Sequence, residues 1–114
     1  TQGIWSQTFG SAPDRYTVIT FLLQDVNALS SPPYLYQMIL FENGGMIKCQ
    51  YAQMSGSVNG DGRSATIGLE DRYGVNGVQY FFDRQQPPII GPVIDGLAIE
   101  FVKSIRSFLP LQRR

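Results

Sequence analysis

The stretch YLYQMILFENGGMIKCQYA, residues 34–52, decides the fold. Two runs rich in apolar and aromatic residues flank Glu42-Asn43-Gly44-Gly45. Asn-Gly between such runs is the strongest short-range hairpin signal, because the favoured hairpin turns demand positive φ and both residues tolerate it. Residues 34–41 and 46–52 therefore read as antiparallel strands, with Asn43-Gly44 at the tip of the turn. In the second strand Ile47, Cys49 and Tyr51 alternate with Met46, Lys48 and Gln50, so the first set should face a core. In the first strand Tyr36, Met38 and Leu40 form one face. Leu35, Gln37, Ile39 and Phe41 form the other, and both faces are largely apolar.

Outward from the hairpin the same alternation recurs, cut by turn residues. Residues 3–9 form a candidate strand, closed by Gly10-Ser11-Ala12-Pro13-Asp14. Residues 15–23 follow. Residues 24–33 form a loop in which Pro32-Pro33 opposes helix. Further strands are expected at 64–70, 78–82 and 97–102, with a glycine-rich loop at 55–63 and a turn at 71–77. Residues 83–96 carry Pro87, Pro88 and Pro92, which bars a central strand. The tail, 103–114, leaves room for a short helix near 103–108.

About seven strands with short links predict an all-β fold, an antiparallel two-sheet sandwich of jelly-roll type. Residues 1–102 are expected to form one domain. Its core should hold Ile47, Cys49, Tyr51, Ile67, Leu69, Leu97, Ile99 and Phe101.

Strand 15–23 is also apolar on both sides, with Val18 and Leu22 opposing Ile19, Phe21 and Leu23. Strands apolar on both faces need cover on both faces. Either loops and tail supply the second cover, or another chain or a missing part of the same chain does. The second reading places Ile19, Phe21, Ile39 and Phe41 in an interface, against a second copy or a fragment of the parent protein; a protein partner or self-association is therefore expected.

Composition narrows the function. Hydrophobic residues make up 43% of the 114 positions, so a core can form, while charged residues are only 16%. Nine basic residues balance nine acidic ones, a poor design for holding nucleic acid. No stretch is long and apolar enough to read as a transmembrane segment. The chain opens at Thr1 without methionine, which reads as a processed or excised product.

The absence of histidine removes Ser-His-Asp triads, Cys-His dyads and HExxH zinc sites. Cys49, the single cysteine, reads as a small buried apolar residue. Most acids sit at turns, where Asp bonds its own backbone. Asn59 and Asp61, in Asn59-Gly60-Asp61-Gly62, and the adjacent Glu70 and Asp71 are weak calcium candidates. They lack the spaced ligands and bidentate Glu of an EF-hand, so no cofactor is expected. Tyr34 and Tyr73 lie beside turns and are the aromatics expected to be exposed for ligand contact.

Several short motifs together resemble a known module. Residues 36–47 resemble a hairpin of the form FQVILYENGDI, and Ser64-Ala65-Thr66-Ile67-Gly68-Leu69-Glu70 resembles a strand SATVGIEN. Gly77-Val78-Gln79-Tyr80 and Gly96-Leu97-Ala98-Ile99-Glu100-Phe101 resemble G-x-QY and GLAIRF. The set is similar to an extracellular β-sandwich module of bacterial secreted proteases and adhesin-like proteins. It has distant likeness to nidogen-type and plexin-domain-containing extracellular segments. That module carries no catalytic residue. The resemblance therefore implies a secreted or cell-surface accessory domain for adhesion, recognising protein or glycan. In that family SSNG and IAPFWDDL segments precede the equivalent of Thr1, so the chain is expected to be the second half of the module. Lys48-Cys49, where an apolar pair is usual, departs from it. A self-associating assembly subunit is the rival reading, and a fragment of a secreted hydrolase the third.

Overall fold

The computed structural model describes residues 2–57, 59–62, 65–82 and 93–103. The strands are β1 (Gly3–Phe9), β2 (Tyr16–Leu23), β3 (Tyr34–Phe41), β4 (Ile47–Gln53), β5 (Thr66–Glu70), β6 (Gly77–Phe82) and β7 (Ala98–Phe101). The described residues contain no helix, and the expected helix at 103–108 lies outside them apart from Lys103. Most of the proline-bearing stretch 83–96 also lies outside. The fold is all-β: one sheet has the order β1-β2-β3-β4-β7, and the β5-β6 hairpin forms a second. Every pairing is antiparallel.

The register assigns the faces. Phe21 pairs with Tyr36, Ile19 with Met38, Tyr36 with Tyr51, and Cys49 with Ile99. Directly opposed residues share a face, so these define the inner face, turned to the small sheet. There Tyr51, Val93 and Ile99 are buried, and Tyr36, Cys49, Met54, Ile67, Tyr80, Leu97 and Phe101 pack against them. A stacked ladder runs across this face. The Phe21 and Tyr36 rings lie 4.8 Å apart at 8°, and Tyr36 and Tyr51 lie 5.9 Å apart.

The outer face carries Tyr16 opposite Phe41 and Val18 opposite Ile39. Phe9, Tyr16 and Phe41 make a second ladder there, with centroid separations of 5.3 and 5.8 Å. Gln37 donates to the Thr20 hydroxyl at 3.0 Å, and Gln50 donates to the Gln37 carbonyl at 2.7 Å.

Of the expected core, Tyr51 and Ile99 are buried, whereas Ile47, Cys49, Ile67, Leu69, Leu97 and Phe101 are half-buried. The reason is geometric: a two-stranded sheet is too narrow to close over five strands. Ile99→Ala should lower the unfolding free energy by about 2–5 kcal/mol, the usual cost of emptying a buried aliphatic site. Chemical denaturation measures it, and a loss within error would contradict the core assignment.

The hairpin is closed by the Phe41 amide donating to the Met46 carbonyl at 3.0 Å. Positive φ falls on Gly44 (79°) and Gly45 (66°), not on Asn43. Asn43 instead donates from its side chain to Asp14 at 2.9 Å, tying this turn to the one between β1 and β2. A Cβ on Gly44 would meet nothing within 4 Å. Gly44→Val should therefore cost about 1–2 kcal/mol through backbone strain alone, with Gly44→Asn costing less. Equal melting temperatures for the Val variant and wild type would remove the turn from the account.

Candidate binding cleft

The inner-face ladder ends beside an opening between the sheets. Loop 24–33 leads into β3, and Pro32-Pro33 hold the chain extended there, which brings Asp25 up against Tyr34. Gln24 fixes the loop by donating to the carbonyls of Leu29, at 2.6 Å, and Ser31. The Asn27 amide donates to Asp25 Oδ1 at 2.8 Å. The result is a cleft of about 390 Å³ floored by Tyr34, Tyr36 and Tyr51 and walled by Met54, Ile67 and Val93. Asp25, Asn59 and Thr66 supply its polar rim.

Electrostatics separate the tyrosines. Burial raises the Tyr34 hydroxyl pKa above its ordinary value, and the Asp25 charge adds to the rise. Burial does the same to Tyr36 and, most strongly, to Tyr51. All three stay neutral donors at physiological pH and offer aromatic surface with a polar handle. Burial also raises the Cys49 thiol pKa, which disfavours a reactive thiolate.

The sequence-predicted residues are distributed as follows. Tyr34 is half-buried within the cleft rather than exposed. Tyr73 is 71% exposed at the β5–β6 turn, with the Arg72 guanidinium 4.6 Å above its ring. The two do not meet in one site. Ile19, Phe21, Ile39 and Phe41 do not form one patch either: the register sends Ile19 and Phe21 to the inner face and Ile39 and Phe41 to the outer. Ile39 is itself 9% exposed, which leaves little of it to offer a partner.

The calcium candidates fall in two loops. Asp71 Oδ1 accepts from the amides of Tyr73 and Val75, both at 3.0 Å. Its Oδ2 accepts from the amide and side chain of Asn76, at 3.2 and 2.8 Å. That carboxylate is occupied in shaping its own turn, and these bonds lower its pKa. Asn59 sits at φ 60° on the cleft rim. Among the described residues, no three of His, Cys, Asp and Glu gather as a metal site would require.

Sequence reasoning missed Asp95. Its Oδ1 accepts from the Met54 and Ser55 amides at 2.6 and 2.9 Å, and its Oδ2 from the Ser55 hydroxyl. This pins the approach to β7 against the chain leaving β4, at Met54, which lines the cleft. Asp95-Gly96 is legible as a turn, but its partner forty positions away is not.

Arg15 and Glu42 join the β1–β2 turn to the hairpin. Arg15 Nε donates to Glu42 Oε2 at 2.8 Å, and its second nitrogen donates to Oε1. The Arg15 hydrogen bond, foremost, lowers the Glu42 pKa from 4.5 to about 2. A depressed carboxylate contributes stability that is fully present above the ordinary pKa and lost as pH falls through the folded one. The contribution should therefore fade between about pH 4.5 and pH 2. NMR titration should place the Glu42 midpoint near 2 in wild type and close to 4.5 in Arg15→Ala. Coincident midpoints would mean that the pair does not persist in solution.

The family model described as NIDO related matches residues 2–91 of the chain. No curated protein and no solved structure matches it.

Proposed function

Since the chain belongs to the NIDO-related family, we propose that it is a non-catalytic extracellular module that binds protein or glycan through the tyrosine cleft. The cleft carries the reading. A concave, mostly apolar site with a few convergent polar groups is the usual form of a ligand site, and tyrosines give contact area at low entropic cost. Three tyrosines on one floor, with Asp25, Asn59 and Thr66 at the rim, have that character. NIDO-related domains are typically extracellular, which supports a secreted or surface location. A place beside a secreted protease or within an adhesin belongs to the same proposal.

The rival catalytic reading has less support. The chain holds no histidine, and Asp71 and Asp95 serve backbone amides rather than an open site.

Screening the protein on glycan and extracellular-matrix arrays tests the proposal. A hit should weaken about thirtyfold in Tyr34→Ala, the ~2 kcal/mol of a hot-spot aromatic, measured at a temperature where circular dichroism shows the variant folded. The array itself separates glycan from protein. A hit indifferent to Tyr34→Ala, or no hit on either array, would overturn the assignment of the cleft.

A further inference from the structure

Asn-Gly is the sequence in which an asparagine most readily modifies itself. The amide nitrogen of the following residue attacks the side-chain Cγ, and glycine leaves that approach free of a Cβ. The chain holds Asn43-Gly44, Asn59-Gly60 and Asn76-Gly77, and the fold treats them differently. The Gly60 amide donates to the Ser57 carbonyl at 3.1 Å, and a Cβ on this buried glycine would come within 1.9 Å of the Met54 carbonyl oxygen. That pair has neither a free nitrogen nor room to rearrange. Asn76 is held at both nitrogens and its carbonyl. Its amide and side chain donate to Asp71 Oδ2 at 3.2 and 2.8 Å, and its carbonyl accepts from the Asp71 amide at 2.8 Å. Gly77 lies in β6, opposite Glu70. Asn43 and Gly44 are exposed, and a Cβ on Gly44 would meet nothing within 4 Å. Among the described residues the Gly44 amide donates to no acceptor. The Asn43 side chain has one restraint, the exposed hydrogen bond to Asp14 Oδ1 at 2.9 Å, and a single bond of that kind opens readily to water.

We propose that Asn43-Gly44 is a self-modifying site, and that its conversion releases the hairpin from the β1–β2 turn. The Gly44 amide nitrogen gives up its proton to solvent and forms a bond to Asn43 Cγ. The Cγ–Nδ2 bond breaks, ammonia leaves, and a cyclic imide remains. Water then opens the imide. Addition at Cγ breaks the new bond to nitrogen and leaves an aspartate. Addition at the main-chain carbonyl breaks the original peptide bond and leaves an isoaspartate, linked to Gly44 through Cγ. The net change is one water consumed and one ammonia released, with no cofactor or oxidant. Either product lacks the Nδ2 donor and carries a carboxylate near Asp14, so an attraction gives way to a like-charge repulsion. The Arg15–Glu42 pair still spans the same two turns, so the turns loosen while the sheet stays folded. The site goes beyond the cleft reading and does not depend on it, because neither residue lines the cleft.

Peptide mass spectrometry of the full chain, aged in mildly alkaline buffer made with isotope-labelled water, tests the site. In the folded protein Asn43 should convert at least about tenfold faster than Asn59 or Asn76, the effect of ~1.4 kcal/mol on a barrier. Aspartate and isoaspartate should both appear, each carrying one solvent oxygen. In denaturant the three asparagines should convert at similar rates, because only the shared Asn-Gly sequence then acts. Melting curves test the release. Asn43→Asp should melt below wild type, and the double variant Asp14→Asn with Asn43→Asp, which exchanges donor and acceptor, should recover most of the loss. Conversion of Asn59 or Asn76 ahead of Asn43 in the folded chain, an Asn43 that reacts only in denaturant, or the same ranking in denaturant as in the fold would each overturn the site. An Asn43→Asp variant as stable as wild type would overturn the release.

Discussion

The register of β3 against β2 and β4 governs where every side chain of the large sheet can point. β3 has apolar groups on both faces, and side chains alternate with a period of two, so a slip of one residue would exchange the faces entirely. The observed pairing puts Tyr36 between Phe21 and Tyr51, and the three rings stack in a row. It puts Phe41 beside Tyr16 and Phe9 on the reverse side. Each ladder is continuous only in this register, so the two hold it jointly. The bulge between Leu35 and Tyr36 in the β3–β4 pairing lies next to the inner ladder, at the end of the strand that opens into the cleft.

A chain this poor in charge uses its carboxylates to organise backbone. Asp71 shapes a turn, Asp95 joins two segments distant in sequence, and Glu42 pairs with Arg15 across neighbouring turns. Hydrogen bonding to the charged form accounts for the lowered pKa of all three. A carboxylate that satisfies several donors in this way is poorly placed to act as a general base or to leave its partners for a cation. The binding function proposed above calls instead on aromatic surface, which Tyr34, Tyr36 and Tyr51 bring together in the cleft lining.

The strands and the main hairpin were legible because period-two alternation and Asn-Gly are local signals. The face assignments were legible within each strand for the same reason. They were not legible between strands. Ile19 and Phe21 looked equivalent to Ile39 and Phe41 because both strands are apolar on both faces, and only the pairing of Ile19 with Met38 shows them to be on opposite sides. The positive φ at Gly45 rather than Asn43 has a similar origin, since the composition Asn-Gly-Gly permits either arrangement. Of the cleft, Tyr34 was legible as a ligand candidate. Its half-burial and its place in the cleft were not, because Asp25, Asn59 and Val93 join the cleft lining from three separate loops.

The hydrophobic cluster joining the two sheets draws on β3 through β7 and on the segments beside Met54 and Val93, and contains no residue of β1 or β2. The inner face is thus closed at one end of the large sheet. At the other end Ile4 remains exposed, and Phe21 and Ile19 are half-buried. The apolar character that β2 shows on both faces is thus used unequally: its outer half packs in the ladder of Phe9, Tyr16 and Phe41 and beside Ile39, whereas its inner half lies beyond the cluster that joins the two sheets.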